Sequence, residues 1–319
     1  MSKQDPNAQL QKLFAKKGTK ALEAARQAVL NEKIESKEVK DALRYFITEC
    51  WHDIARPGML ALVSESLNAK PDTTTEIAIP LILIGGATDI HDDLIDESKT
   101  KYGKPTIYGK YGKNIAILAG DALFFKGLTM LNRTIQYQDI SEIIKNTFFE
   151  LGDAEALELQ LRKGLPKSPE SYLNIIQKKA ADVEAHTRIA AIMAGAAKNE
   201  IEILGKYGRI LGILIILKDD YIDSLEHDEL VHRVQNEHLP MPLLYALADP
   251  NAHATIMKIL RKRSITKKDT QALKASIHKA KGYEKTAELI NSLIKAAKKE
   301  IATIKNKEYL QLMLYATKV

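Results

Sequence analysis

The sequence predicts an all-α fold, one domain over residues 1–319 built on a central helical bundle. Three observations carry this. Apolar residues make up 45% of the chain but aromatics only 6%, so the core material is aliphatic. Apolar positions recur with helical spacing along most of its length. Strand signatures, meaning alternating Val/Thr/aromatic runs bounded by two-residue turns, are absent. The 16 glycines and 10 prolines sit mainly between periodic segments, where they act as punctuation.

Taken in order, residues 8–33 read as a charge-rich amphipathic helix within an N-terminal helical segment over 1–35. Residues 37–51 read as a second helix, with Leu43, Phe46, Ile47 and Cys50 on its apolar side. Trp51–Gly58 (WHDIARPG) breaks the pattern at a proline, Leu60–Leu67 is a short helix, and Lys70-Pro71-Asp72 a turn. Thr73–Asp96 is a long helix, mostly aliphatic from Ile77 to Ile90. Gly103, Pro105, Gly109 and Gly112 then make a loop rich in Lys and Tyr. Helices are expected at about 114–134, 138–163, 170–197, 200–224, 241–247, 252–262, 268–280 and 283–315. No repeat of solenoid length is present.

Charge and cysteine usage narrow the function classes. Forty-seven basic against 41 acidic residues give a net charge of +6. The excess, as in Lys258–Lys268 and Lys295–Lys307, lacks the aromatic interleaving of a nucleic-acid surface. A solvated helical surface that attracts anionic substrates or lipid head groups fits better, and no nucleic-acid partner is expected. No run of 18 or more apolar residues predicts a transmembrane helix. The N-terminus has no apolar signal-peptide core, and the single cysteine, Cys50, suits a reducing cytoplasm.

The chemistry concentrates at the ends of two apolar helices. Asp89, Asp92, Asp93 and Asp96 fall within two turns, and the spacing predicts that Asp89, Asp92 and Asp96 share a face. Uncompensated like charges at that spacing cost roughly 0.2–0.5 kcal/mol per pair, so the ladder points to a bound cation. Oxygen-only ligands suit Mg²⁺. The same Asp-Asp-x-x-Asp pattern returns at Asp219, Asp220 and Asp223 after the apolar run Ile210–Leu217. Two carboxylate walls of this kind make a diphosphate–magnesium site.

The stretch HDDLIDESKTKYGKPTIYGKYGKNIAILAGDALF resembles the first aspartate-rich region of the trans-isoprenyl diphosphate synthases, the polyprenyl synthetase family. ILIILKDDYID followed by LPMPLLYAL resembles the second. The resemblance runs from about residue 40 to 315. It implies an isoprenoid-synthase fold with a central cavity and a Mg²⁺-dependent reaction, with three ions gripping the diphosphate of an allylic prenyl substrate. Asp92, Asp96 and Asp219 match the main metal ligands, supported by Asp93, Asp220 and Asp223. Lys178 matches a lysine that touches the allylic diphosphate, and Lys179 replaces the threonine beside it. A homodimer is implied as well.

The departures cluster on the side that receives isopentenyl diphosphate. The family's GGKRLRP box corresponds to WHDIARP, keeping Arg56 and Pro57 but placing Asp53 at the lysine position. The family's histidine seven residues before the first aspartate is Gly85. Its two arginines after that motif are Lys101 and Tyr102, and its Phe-Gln before the second is Ile215-Ile216. Lys218 stands next to Asp219, where it either pre-pairs that carboxylate or points to the diphosphate. Arg233 and His238 are candidates to replace lysines of a loop shortened after Asp223. Aspartate for lysine at a phosphate site exchanges attraction for repulsion, and tyrosine cannot rebuild an arginine fork.

Three readings follow. One is an elongating synthase that uses Arg56, Lys101 and Lys104 to hold isopentenyl diphosphate. Another is a class I terpene synthase-like enzyme or prenyltransferase that passes the allylic cation elsewhere. The third is a modulatory subunit of a heteromeric synthase. Ala87 and Thr88, small residues five and four positions before the first motif aspartate, leave the tunnel floor open and suggest a tail of C20 or longer. His91 is expected to orient a carboxylate rather than bind metal.

Overall fold

Asp5 and Pro6 start the first helix for a simple reason. The Asp5 carboxylate accepts from the Asn7 amide at 3.0 Å, and a proline in the first turn forfeits no hydrogen bond. In a computed structural model, which describes residues 5–101, 103–134, 137–163 and 168–319, this helix (α1) runs Pro6–Leu30. Tyr102, weighed above as an arginine replacement, lies outside the described residues.

The chain divides into two compact units, one of residues up to Ile143 with Ile189–Ala197, the other of Ile144–Arg188 with Lys198–Val319. In the first unit α1 is followed by α2 (Lys37–Tyr45), a π-helical turn (Phe46–Cys50), α3 (Ala55–Ser66) and α4 (Thr75–Ile95). Then come β1 (Thr100–Lys101), β2 (Lys104–Pro105) and α5 (Ile107–Leu131). Helix α4 is its centre. Ile77, Leu81, Ile82, Leu83, Ile84, Ala87 and Ile90 are all buried, and a helix apolar on every side belongs in a core. It packs along α5 and against α1 and α3. Burying each such aliphatic side chain contributes about 1.5–3 kcal/mol.

Helix α6 (Tyr137–Lys163) follows, then α7 (Pro169–Lys179), α8 (Ala181–Met193) and α9 (Lys198–Asp223). Next are α10 (His227–Asn236), α11 (Met241–Leu247), α12 (Pro250–Leu260), α13 (Lys267–Lys279), α14 (Gly282–Glu300) and α15 (Glu308–Ala316). In the second unit α9 packs on α14. The fully buried Tyr207 of α9 donates to the Leu310 carbonyl at 2.9 Å, tying it to α15.

The helical architecture matches the expectation, and the boundaries differ where no apolar period marks them. The helix expected over 170–197 is broken at Ala180, and that over 283–315 ends at Glu300 before α15 begins. Helix α10 was not expected, because in HDELVHRVQN only Leu230 is buried and no apolar stripe exists to read. A two-residue antiparallel ladder pairs Thr100 with Pro105 and Lys101 with Lys104, too short to show a strand period. Helix α5 begins at Ile107 rather than 114 and is interrupted at Gly112, whose φ of 81° is left-handed backbone that glycine adopts without strain. By length and average hydropathy α5 is also apolar enough to cross a membrane, although no unbroken apolar run flags it, and about one third of that window is buried.

Candidate active site

Helix α4 stops where the first carboxylates sit. The Ser98 amide donates to the Asp93 carbonyl at 2.8 Å and the Glu97 amide to the Leu94 carbonyl at 3.4 Å, the paired bonds of a Schellman turn. Glu97 takes the left-handed position at φ 54°, a role glycine usually fills. This fixes Asp96 as the C-cap of the helix. The ladder then divides between two faces, which corrects the expectation that Asp89 points with Asp92 and Asp96. Asp89 and Asp93, one turn apart, line a cavity, and Asp92 is exposed on another side. Asp89 is held there by Trp51, whose indole Nε1 donates to Asp89 Oδ2 at 2.7 Å.

That cavity, about 590 Å³, lies within the first unit. The π-helical turn delivers Glu49, Cys50 and Trp51 to its wall, and Trp51 stacks on Phe46 with centroids 5.2 Å apart. Asp53 accepts from the Ala55 and Arg56 amides at 3.0 Å each, capping α3, and holds Arg56 Nη1 at 2.7 Å. Arg56 also lies 3.7 Å from Asp89. The β1–β2 ladder brings Lys101 Nζ to 3.5 Å from Asp93, while Lys104 Nζ donates to the Glu49 carbonyl at 2.6 Å. Burial pushes the Asp93 carboxyl up to about 6, with Lys101 opposing and Asp89 and Asp96 adding to the rise. Burial likewise pushes the Cys50 thiol up to about 11, so it is not a nucleophile at neutral pH.

His91, expected to orient a carboxylate, approaches one outside the two aspartate motifs. Its Nε2 is 3.5 Å from Asp121, and Gly120 makes the room, since a Cβ there would stand 2.3 Å from that nitrogen. Ala87 is fully buried in the core, so it borders packed side chains rather than a tunnel floor. Only Thr88 of that pair keeps partial exposure, and its hydroxyl donates to the Gly85 carbonyl at 2.7 Å.

In the second unit, Asp219 and Asp223 stand one turn apart at the end of α9. Desolvation raises the Asp219 carboxyl, with Lys218 and Arg233 opposing. Desolvation pushes Asp223 up to about 7, reinforced by Asp219, Glu229 and Glu237. Asp220, expected as a supporting metal ligand, is placed differently from its neighbours. It is fully buried and accepts from Tyr172 Oη at 3.1 Å, from the Met241 amide at 3.0 Å and from Arg233. Its oxygens are committed to fastening α7, α10 and α11 to α9. Arg233, also paired with Glu237 at 2.8 Å, and His238, buried and stacked on Tyr172 at 4.0 Å, are structural rather than exposed to a phosphate.

The remaining lysines separate as well. Lys179 is held by Glu155 at 2.8 Å and Glu158 at 2.5 Å, so its charge is already matched. Lys218 Nζ donates to the Ala316 carbonyl at 2.8 Å, latching the end of α15. Lys178 Nζ approaches Asp153 at 3.5 Å. Asp53, Trp51 and Tyr172 are the residues sequence reasoning undervalued. The i,i+3 spacing of Asp53 and Arg56 was the available signal.

Among the described residues no three His, Cys, Asp or Glu side chains form a ready-made metal cage. Mg²⁺ is commonly held by one or two carboxylates while substrate phosphates and water complete its shell. Asp92 with Asp96, and Asp219 with Asp223, are i,i+4 carboxylate pairs.

The raised carboxyls make a pH prediction. Asp93 and Asp223 bind protons more tightly folded than unfolded, so between about pH 4 and 7 the native state holds more protons and stability falls as pH rises. The metal-free protein is expected to melt at a higher temperature at pH 5.5 than at pH 8. Glu237, held down to about 2 chiefly by His232 and Arg233 against its burial, adds a loss only below about pH 4.5. A melting temperature that rises from pH 5.5 to 8 would contradict this.

An all-α fold whose two aliphatic central helices each end in a carboxylate pair defines the isoprenoid-synthase class of protein. The chain belongs to the polyprenyl synthetase family, whose sequence profile matches residues 36–277. It is 32% identical over 178 residues to a short chain isoprenyl diphosphate synthase of Methanothermobacter thermautotrophicus, covering 54% of this chain and 55% of that protein. It is 26% identical over 276 residues to the geranylgeranyl diphosphate synthase of Methanosarcina mazei, covering 84% and 85%. Among solved structures, the polyprenyl synthetase from Streptomyces coelicolor A3(2) superposes with a TM-score of 0.86 at 20% identity, over 97% of this chain and all of that one. A polyprenyl synthase from Caulobacter crescentus, solved with calcium and isoprenyl diphosphate, gives 0.82 at 22% identity, over 96% of each chain. At these identities the structures speak to the fold.

Proposed function

We propose that this chain is a Mg²⁺-dependent prenyltransferase that ionises an allylic prenyl diphosphate and transfers the prenyl group. The observation carrying this reading is the pair of i,i+4 carboxylate sets, Asp92/Asp96 and Asp219/Asp223, each closing an aliphatic helix. Bound Mg²⁺, three ions by family likeness, supplies the positive charge that neutralises the departing pyrophosphate. By family likeness, Asp92 and Asp96 in the first unit and Asp219 and Asp223 in the second would each be candidates to hold such ions, with Asp93 in support. Lys178 adds a protein cation toward the diphosphate. Thr88, small and partly exposed, leaves room for a tail of C20 or longer. The names of the relatives support this reading and extend over a range of prenyl lengths, from geranylgeranyl to decaprenyl.

The second reading is elongation with isopentenyl diphosphate, giving a longer prenyl diphosphate. The basic hairpin Lys101–Lys104 at the cavity rim favours it. The test is pyrophosphate release from an allylic series, dimethylallyl to geranylgeranyl diphosphate, with Mg²⁺ and with EDTA. Turnover confined to Mg²⁺ supports the proposal, and turnover unaffected by EDTA contradicts it. Turnover appearing only on addition of an intact synthase would favour the modulatory subunit.

A cytoplasmic homodimer belongs to the same proposal. Leu118 (52% exposed) and Phe125 (67% exposed), seven residues apart on one face of α5, form an apolar stripe suited to a second copy. Phe125→Glu is expected to convert a dimer to a monomer in light scattering. A wild-type monomer would remove this part of the proposal.

A further inference from the structure

The first-unit cavity has the wrong chemistry for a second diphosphate. Its wall carries four carboxylates (Glu49, Asp53, Asp89 and Asp93) against the cations Arg56, Lys101 and Lys104. His52 adds no charge. Arg26 donates to its Nδ1 at 2.6 Å, and since arginine only donates, that nitrogen is unprotonated. The wall is therefore net negative by one charge. Its cations are already engaged, Arg56 by Asp53 at 2.7 Å, Lys101 by Asp93 at 3.5 Å and Lys104 by the Glu49 carbonyl at 2.6 Å. Arg56 also lies back against Gly85, with its guanidinium carbon 3.5 Å from where a Cβ would stand. A diphosphate brings negative charge and only acceptor oxygens, so it would have to break these pairs and face the carboxylates. A hydroxyl or ammonium head brings the donors that carboxylates require.

We propose that this cavity binds a head group without negative charge, a hydroxyl or an amine, and that Asp53 is the residue that excludes diphosphates. Calling that ligand the prenyl acceptor rests on the prenyltransferase reading. The binding preference does not.

Trp51 is the single tryptophan of the chain and lines the cavity, so its fluorescence reports occupancy directly. The probes share one five-carbon tail: 3-methyl-3-buten-1-ol, 3-methyl-3-buten-1-amine and isopentenyl diphosphate. They are titrated into the full chain without Mg²⁺ or allylic substrate, so the result is independent of turnover. The alcohol or the amine is expected to saturate the Trp51 response at a concentration at least tenfold below isopentenyl diphosphate. Whichever of the two binds more tightly identifies the head group. Asp53→Asn removes the charge but keeps an oxygen that can cap α3, and far-UV circular dichroism checks the fold. That variant is expected to bind isopentenyl diphosphate at least tenfold more tightly than wild type. Tighter binding of isopentenyl diphosphate than of the other probes by wild type would overturn the proposal. So would no saturable response to any probe, or an Asp53→Asn variant with unchanged affinity for isopentenyl diphosphate.

Discussion

Replacing Asp92 with asparagine is expected to lower kcat/KM for an allylic diphosphate by roughly three orders of magnitude, about 4 kcal/mol of transition-state stabilisation. Asp92 is exposed on the last turns of α4, so the core loses nothing by the change. The amide is nearly isosteric and cannot carry the charge that holds a divalent cation. The thermal midpoint should therefore stay within a degree or two of wild type. An activity loss below tenfold would remove Asp92 from the metal site. A large drop in melting temperature would show that its role is structural.

The opposite pattern is expected one residue from a metal candidate. Asp220→Asn should destabilise the protein by about 3–5 kcal/mol, the usual consequence of removing one partner from a buried ion pair. Arg233 would be left buried beside Tyr172 and the Met241 amide without its main counter-charge. Asp219→Asn, next to it in sequence, should cost activity and little stability. Urea unfolding of the two variants separates the roles. If Asp220→Asn unfolds at the wild-type midpoint but loses turnover, Asp220 belongs with the metal ligands after all.

These neighbouring aspartates show where the sequence was legible and where it was not. Helices as apolar as Ile77–Ile90 and Ile210–Leu217 announce themselves, and a carboxylate ladder at the end of each is visible because charge beside such surface needs a reason. Which carboxylate of a ladder turns inward is not written in the spacing. Asp89 and Asp220 are claimed by donors distant in sequence, Trp51 for the first and Tyr172, Arg233 and Met241 for the second. The lysines were harder still. Lys179 and Lys218 look alike on a helix surface, and only tertiary placement reveals a pair of glutamates beside one and a helix-end carbonyl beside the other. Asp53 was read as a lost lysine, which is half of its meaning. It also caps α3 and holds Arg56, so the change of charge is built into the local structure.

The central claim is that the carboxylate pairs activate an allylic diphosphate while the altered cavity does not take isopentenyl diphosphate. The most direct measurement incubates the purified chain with Mg²⁺ and geranylgeranyl diphosphate, with and without isopentenyl diphosphate, following pyrophosphate release and extracted products. The account predicts Mg²⁺-dependent pyrophosphate release that isopentenyl diphosphate neither requires nor accelerates, raised instead by a hydroxyl- or amine-bearing acceptor. Prenyl diphosphates lengthened by five carbons, formed only when isopentenyl diphosphate is present, would contradict it.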